Sequence, residues 1–332
     1  MKKINLFIIF CFFILATNSF ANEPNFTDWK ISFKKYALSK NVSESTFDKV
    51  MKNAKYLPKV IEYDRYQPEF YEDTLTYISK RTSKSKVDKG IILYKKNSSF
   101  IDLVDNEYEV EKELLLSLMG IETNFGKYLG KMDIISSLST LSFDKRRSEF
   151  FTRELITLLQ LVENNIIDHN LMYGSWAGAY GNFQFMPSTI KNYAIDKDKD
   201  DQINLISIKD SFASAANYLS KIGWKKNNPC FVEINLFENT PNYLLNTSAK
   251  KIKNKKKLKH FKKYIKNYEN ISINKNLITA IITPDKDIIP DSSNYDPAYL
   301  VFDNYELILK WNRSLRFALA VCTLKNKFKN EL

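Results

Sequence analysis

A carboxylate, Glu122, sits in Gly120-Ile121-Glu122-Thr123-Asn124-Phe125-Gly126, near the end of a run from Glu113 to Phe125 that is almost wholly apolar. Apolar neighbours and the negative end of a helix dipole both favour a protonated carboxyl. The position therefore suits a general acid working near neutral pH. Such a group protonates the leaving oxygen of a glycosidic bond. A carboxylate satisfied by a buried hydrogen bond or ion pair fits these residues equally well. A second segment, Gly174 to Ser188, reads Gly-Ser-Trp-Ala-Gly-Ala-Tyr-Gly-Asn-Phe-Gln-Phe-Met-Pro-Ser. Its glycines let backbone approach a ligand closely, and its Ser, Gln and aromatic residues offer hydrogen bonds and stacking faces, as a sugar cleft needs. A tight turn followed by a helix from about Pro187 is the plainer reading.

A third cluster is acidic. Asp196, Asp198 and Asp200 alternate as do positions 1, 3 and 5 of a calcium loop, with Ile203 at the apolar position. Asp201 replaces the usual glycine, and Ser207 stands where a bidentate Glu belongs. A solvated turn neutralised by Lys197 and Lys199 accounts for the same residues. Other chemistries lack material. The chain has only His169 and His260, with no Gly-x-Ser-x-Gly or nucleophilic Cys context, which excludes the usual triads and leaves a zinc site without ligands. Hydrolytic work must fall to carboxylates.

The elements that position these groups are mostly helical. From Phe26 to Val104 apolar residues recur at three and four positions, as in Trp29, Phe33, Tyr36 and Ala37, and predict short amphipathic helices. Ser43, Ser45, Thr46 and Asp48 supply starts, Pro58 and Pro68 punctuate, and 63–70 reads as extended or looped. Helical periodicity resumes from about Glu111 to Gly223. After Trp224 the alternation through Cys230 to Leu236, and the β-branched run Leu277 to Thr283, predict strands. The end, Tyr305 to Leu324, predicts one helix packing back on the helical block. The fold class expected is mainly α (α+β), with a helical N-terminal region (22–105), a helical core (106–225), a small β-containing subdomain (226–300) and a C-terminal helix (301–332).

The chain's 332 residues, 44% of them hydrophobic, suffice for a sizeable core. Met1-Lys2-Lys3, an apolar run from Leu6 to Ala16 and Ser19-Phe20-Ala21 predict a cleaved leader over 1–21 and an exported mature chain with no spanning helix. Cys11 leaves with that leader. Cys230 and Cys322 remain, and an oxidising compartment supports a disulfide between them, while two buried thiols would satisfy the composition as well. The formal charge is +12, and ten lysines with no acid lie between Lys250 and Lys266; with Lys2 and Lys3 they account for the whole excess. One basic segment, not a basic protein, argues against a nucleic-acid partner. It suits contact with an anionic polymer or a solvated insertion.

The two glycine-bearing segments resemble those of the membrane-bound lytic murein transglycosylase B family, glycoside hydrolase family 103. The resemblance extends through Leu138-Ser139-Thr140-Leu141-Ser142-Phe143, Arg146-Arg147, Asn217-Tyr218, Ile222-Gly223-Trp224 and Asn304-Tyr305 to Val321. It implies a lysozyme-like helical core in which Glu122 is the single catalytic acid and base. That residue would cleave the MurNAc-GlcNAc β-1,4 bond of peptidoglycan, leaving 1,6-anhydromuramoyl ends and needing no cofactor for the chemistry. It also implies sugar or peptide contacts at Ser175, Gln184, Tyr218 and Asn312. Tyr180 replaces the family's usual Met, and Trp311 and Phe317 its usual Tyr; these three are carried over as binding surfaces. The family's related loop adds Asp210 as a late ligand. The expected structural calcium set is thus Asp196, Asp198, Asp200, the Gln202 carbonyl and Asp210. The remaining expectations are a monomer, peptidoglycan glycan strands as partner, and a periplasmic or wall-associated location. A hydrolytic muramidase on the same scaffold and a non-catalytic wall-binding protein are the competing readings.

Overall fold

The computed structural model describes residues 25–66, 72–286 and 295–332; the expected leader lies outside them. Among the described residues the first elements are five helices: α1 Phe26–Leu38, α2 Glu44–Met51, α3 Pro58–Arg65, α4 Thr74–Arg81 and α5 Lys84–Tyr108. Asn25, Ser43 and Asp73 each accept a backbone N–H from the first turn that follows, which satisfies a donor the helix leaves orphaned. Two expectations are corrected here. Of the stretch 63–70 expected to be extended or looped, Tyr63 to Arg65 instead finish α3, which Pro58 starts at its first helical position; Tyr66 is extended, and 67–70 lie outside the described residues. The last of the "short" helices is a single α5 with a non-helical Asn97 inside it, and it runs past the expected boundary at 105.

The central block holds α6 Lys112–Thr123, β1 Met132–Asp133, α7 Ile134–Phe143, α8 Ser148–Glu163, β2 Tyr173–Gly174, α9 Pro187–Tyr193 and α10 Ile208–Lys221. β1 and β2 pair antiparallel, with Met132 opposite Gly174. A Cβ on Gly174 would come within 2.1 Å of the Ala179 carbonyl oxygen, so only glycine allows this approach.

The β-containing part is larger than the two predicted strands. β3 Phe231–Ile234, β4 Leu245–Asn246, β5 Lys256–Lys257, β6 Ile278–Ile282 and β7 Ala298–Val301 form a sheet ordered β3-β7-β6-β4, with β5 also on β6. Its side chains divide by parity. Ala280, Ile282, Tyr299 and Val301 join the helical core, while Ile234, Ile281, Ala298 and Leu300 join a second core with Leu258, Phe261 and Ile265 of the basic segment. The expected single C-terminal helix is two, α11 Asp303–Trp311 and α12 Leu315–Glu331. Asn312 is extended, and Ser314 accepts the Phe317 N–H to start the second, so the chain turns just after Trp311. α12 packs on α4, α5, α6 and α11. Its Leu324 and Phe328 are fully buried, each such side chain contributing roughly 1.5–3 kcal/mol. Among the described residues no helix is long and apolar enough to cross a membrane.

Candidate active site

α6 ends one residue after Glu122. Asn124, Phe125 and Gly126 all take left-handed backbone, and the Asn124 and Phe125 N–H groups donate back to Gly120 and Met119. The end is fixed from three sides. Thr123 Oγ1 donates to the Asn182 carbonyl at 2.9 Å, Lys86 Nζ donates to the Gly120 carbonyl at 2.7 Å, and Leu324 of α12 packs beside Gly120. Burial holds the Lys86 ammonium below its ordinary pKa, yet its cation lies at the negative end of α6, where a helix favours one.

The Gly174–Ser188 segment forms a tight turn packed against this helix end. Tyr180 and Phe185 exchange both backbone hydrogen bonds at 2.9 Å, enclosing Gly181 to Gln184. Gly181 takes φ +79° and its Cβ position lies against Leu205, so a larger residue would be both strained and crowded. Asn182 is buried and ties the turn to its surroundings: its Nδ2 donates to the Ile206 carbonyl at 2.9 Å and to Ser211 Oγ at 3.0 Å.

Trp311, the last residue of α11, completes the site. Its indole N–H donates to Glu122 Oε1 at 3.0 Å. Its ring stacks on Tyr218, centroids 5.1 Å apart, and meets Phe185 and Phe183 edge-on. Two open grooves meet at this ring. One of about 230 Å³ contains Gln184, Phe185, Glu154 and Tyr218; the other, about 790 Å³, contains Asn312, Arg147 and Lys250; Phe150, Lys310 and Trp311 border both. Glu122 is half-buried behind the indole.

The expected binding residues divide. Trp311, Tyr218, Gln184 and Asn312 line the grooves, with Glu122 bonded to the indole behind them. Gln184 is held by hydrogen bonds from its Nε2 to the Leu129 and Gly181 carbonyls, and Tyr218 by its hydroxyl to the Lys310 carbonyl. Ser175 is turned inward, its Oγ accepting the Ala179 N–H at 2.9 Å. Tyr180 and Phe317 are each 3% exposed, so the expectation that they present cleft surfaces is corrected: both face the core. Burial raises the Tyr218 and Tyr180 hydroxyls to about 12, which removes both as acids near neutral pH.

Sequence reasoning missed three groups. Glu154 is buried and accepts the Ser188 N–H at 2.8 Å and its hydroxyl at 2.7 Å, securing the start of α9 beside the smaller groove. Asn182 and Thr123 join the turn to α6. Only Glu154 left a signal, an acid on the apolar stripe of α8.

At the acidic loop, carboxylate oxygens of Asp196, Asp198 and Asp210 lie within 4.8 Å of one another. Asp196 also accepts the N–H groups of Lys199 and Asp201, and Asp201 takes the left-handed φ of 67° that the missing glycine would have supplied. Asp210 is buried, which raises its carboxyl above the ordinary value; N–H bonds from Asn204 and Lys197 oppose that, and Asp198 and Asp196 add to it. Asp200 is exposed and its carboxylate accepts the Gln202 N–H instead of joining the three. Cys230 and Cys322 are joined by a disulfide across a Cα separation of 6.2 Å.

A mainly α protein with a small sheet, in which Glu122 lies at a helix end behind an aromatic stack, has the architecture of the lysozyme-like fold. The sequence profile of the transglycosylase SLT domain matches residues 25–326, and the chain belongs to that family. It is 36% identical to membrane-bound lytic murein transglycosylase B of Escherichia coli over 162 residues, a stretch that spans 48% of this chain and 45% of that relative. Among solved structures, SltB3 of Pseudomonas aeruginosa in complex with NAG-NAM-pentapeptide is similar over 92% of this chain and 80% of its own. There the TM-score is 0.80 and the identity 29%. The Escherichia coli lytic transglycosylase Slt35 in complex with calcium matches over 94% and 95%, with TM-score 0.76 and identity 25%.

Proposed function

We propose that this chain is a peptidoglycan lytic transglycosylase in which Glu122 acts as acid and then base at the MurNAc-GlcNAc β-1,4 bond. The observation that carries the reading is that, among the described residues, the other acids lining the two grooves at Trp311 are already taken. The other acids at the grooves are engaged: Glu154 by Ser188, and Glu306 by Lys255. A retaining hydrolase needs a nucleophilic carboxylate and an inverting one needs a second base. A single acid suffices when the substrate supplies its own nucleophile. Protonated Glu122 gives its proton to the glycosidic oxygen and the C1–O bond breaks. The carboxylate then takes the proton of the muramoyl C6 hydroxyl, whose oxygen closes on C1. Trp311 orients the carboxylate throughout, and its stack with Tyr218 offers the sugar an apolar face.

The leader read at 1–21 and the Cys230–Cys322 bridge support a location outside the cytoplasm, at the wall. The acidic loop fits a hard cation, since its donors are all oxygen and three carboxylates converge. We assign calcium to Asp196, Asp198 and Asp210; Asp200 and the Gln202 carbonyl, the other two expected donors, would have to turn toward the ion to join them. The ion would secure the turn before α10, and the chemistry stays with Glu122.

Digestion of purified peptidoglycan tests the function. Mass spectrometry of the muropeptides should show anhydro ends; ends heavier by one water would make the protein a muramidase, and no release would make it a binder. Glu122→Gln should lower cleavage by at least a hundredfold with the thermal midpoint retained, and more than a few per cent residual activity would remove Glu122 from its role. For the loop, calcium should raise the midpoint relative to chelator, and Asp198→Asn should reduce that gain. Coincident midpoints would leave the loop a solvated turn.

A further inference from the structure

The lysine-rich segment is pinned where it meets the site. Ile252 is buried in the helical core, and the buried Asn246 grips the next residue from both sides: its Oδ1 accepts the Lys253 N–H at 2.7 Å and its Nδ2 donates to the Lys253 carbonyl at 3.2 Å. Lys250 and Lys251, just before this anchor, are thereby held at the larger groove, together with Lys310 and Arg313. Its charges do not cancel. Glu306 is taken by Lys255, and Arg147 shares the buried carboxylate of Asp64 with Arg146. Among the described residues Lys250, Lys251, Lys310 and Arg313 show no acidic partner. Four cations around one open volume of about 790 Å³ repel each other and focus a positive field into it.

We infer that this groove takes the peptide stem of the substrate by its carboxylates, and that Lys250 and Lys251 distinguish stem-bearing from bare glycan. The inference rests on the transglycosylase reading. Trp311 borders this groove and also touches Glu122, so a strand cut at Glu122 brings its stem within reach of the four cations. A neutral glycan has no group that would use them, whereas a stem carries carboxylates along its length. The mobile ammonium groups of lysine suit carboxylates whose positions vary from stem to stem.

The test uses the full chain and the double variant Lys250→Gln/Lys251→Gln on two substrates: glycan strands with their stems, and the same strands stripped of stems by an amidase. The ratio of kcat/KM for stem-bearing over bare strands should fall about tenfold in the double variant, and the difference should shrink as salt rises. An unchanged ratio, or equal loss on both substrates, overturns the inference. Binding of the two strand preparations to Glu122→Gln protein, with and without the lysine changes, is read in parallel because it needs no cleavage. If wild type cuts neither substrate, the transglycosylase reading fails. The groove then stands or falls on whether the lysines set the binding preference for stem-bearing strands.

Discussion

Trp311 shows how one side chain joins distant parts of the site. It donates to a carboxylate 189 positions earlier in the chain while its ring stacks on Tyr218. Trp311→Phe keeps a ring for the stack and removes the donor. A hydrogen bond to a charged group contributes roughly 1.5–3 kcal/mol, so kcat should fall about tenfold or more while the thermal midpoint moves little. An unchanged kcat would show that Glu122 needs no orienting donor. Glu122 itself stood out in the sequence, because an acid at the end of an otherwise apolar helix stretch is conspicuous. Its partner was not, since nothing local to Trp311 reveals what α11 brings it against. Tyr180 and Phe317 mislead for the same reason: an aromatic residue at a matching position fixes a place in the chain, and packing decides which way the ring turns.

At the scale of elements, α6 is held at both ends. Its C-terminal end is closed by the turn at Asn124, and at its N-terminal end Glu111 is 5% exposed. That carboxylate accepts the Trp224 indole and the Asn227 N–H, and pairs with Lys325 of α12 at 3.0 Å. Burial raises the Glu111 carboxyl, but the Lys325 ammonium and the Asn227 and Trp224 donors outweigh it and hold it below its ordinary value. A carboxylate depressed in the folded state stabilises fully above its unfolded pKa, and that contribution disappears as pH falls through the folded value. Glu111→Gln leaves Lys325 buried without its counterion and should cost about 3 kcal/mol near neutral pH. As pH falls below the ordinary carboxylate range the midpoints of variant and wild type should converge; a constant gap across the acid limb would count against the pair. Helix periodicity and a cap such as Ser43 were readable locally. The division of the C-terminal segment at Asn312 was not, because apolar spacing continues across it and only Ser314 marks the restart.

Across the whole molecule, the predicted strands were the two with clear alternation or β-branching. β4 and β5 are two residues each and depend on β6 for their pairing, so they carry no pattern of their own. The Cys230–Cys322 bridge closes a loop with sequence separation 92 and ties the start of the sheet region to α12. In the chain-entropy account such a closure contributes about 4–5 kcal/mol. Cys230→Ser/Cys322→Ser should lower the midpoint by several degrees, and non-reduced digests of wild type should yield a linked peptide; two alkylatable thiols would refute it. The last helix also fills space the earlier ones leave open. Phe328 lies over Gly90 of α5, Leu324 beside Gly120 of α6, and Lys325 on Glu111. α12 thus acts as a wedge: without the seventeen residues Leu315–Glu331, α5 and α6 would lack the surface that seats them, and the helix end that carries Glu122 would lose one of its supports.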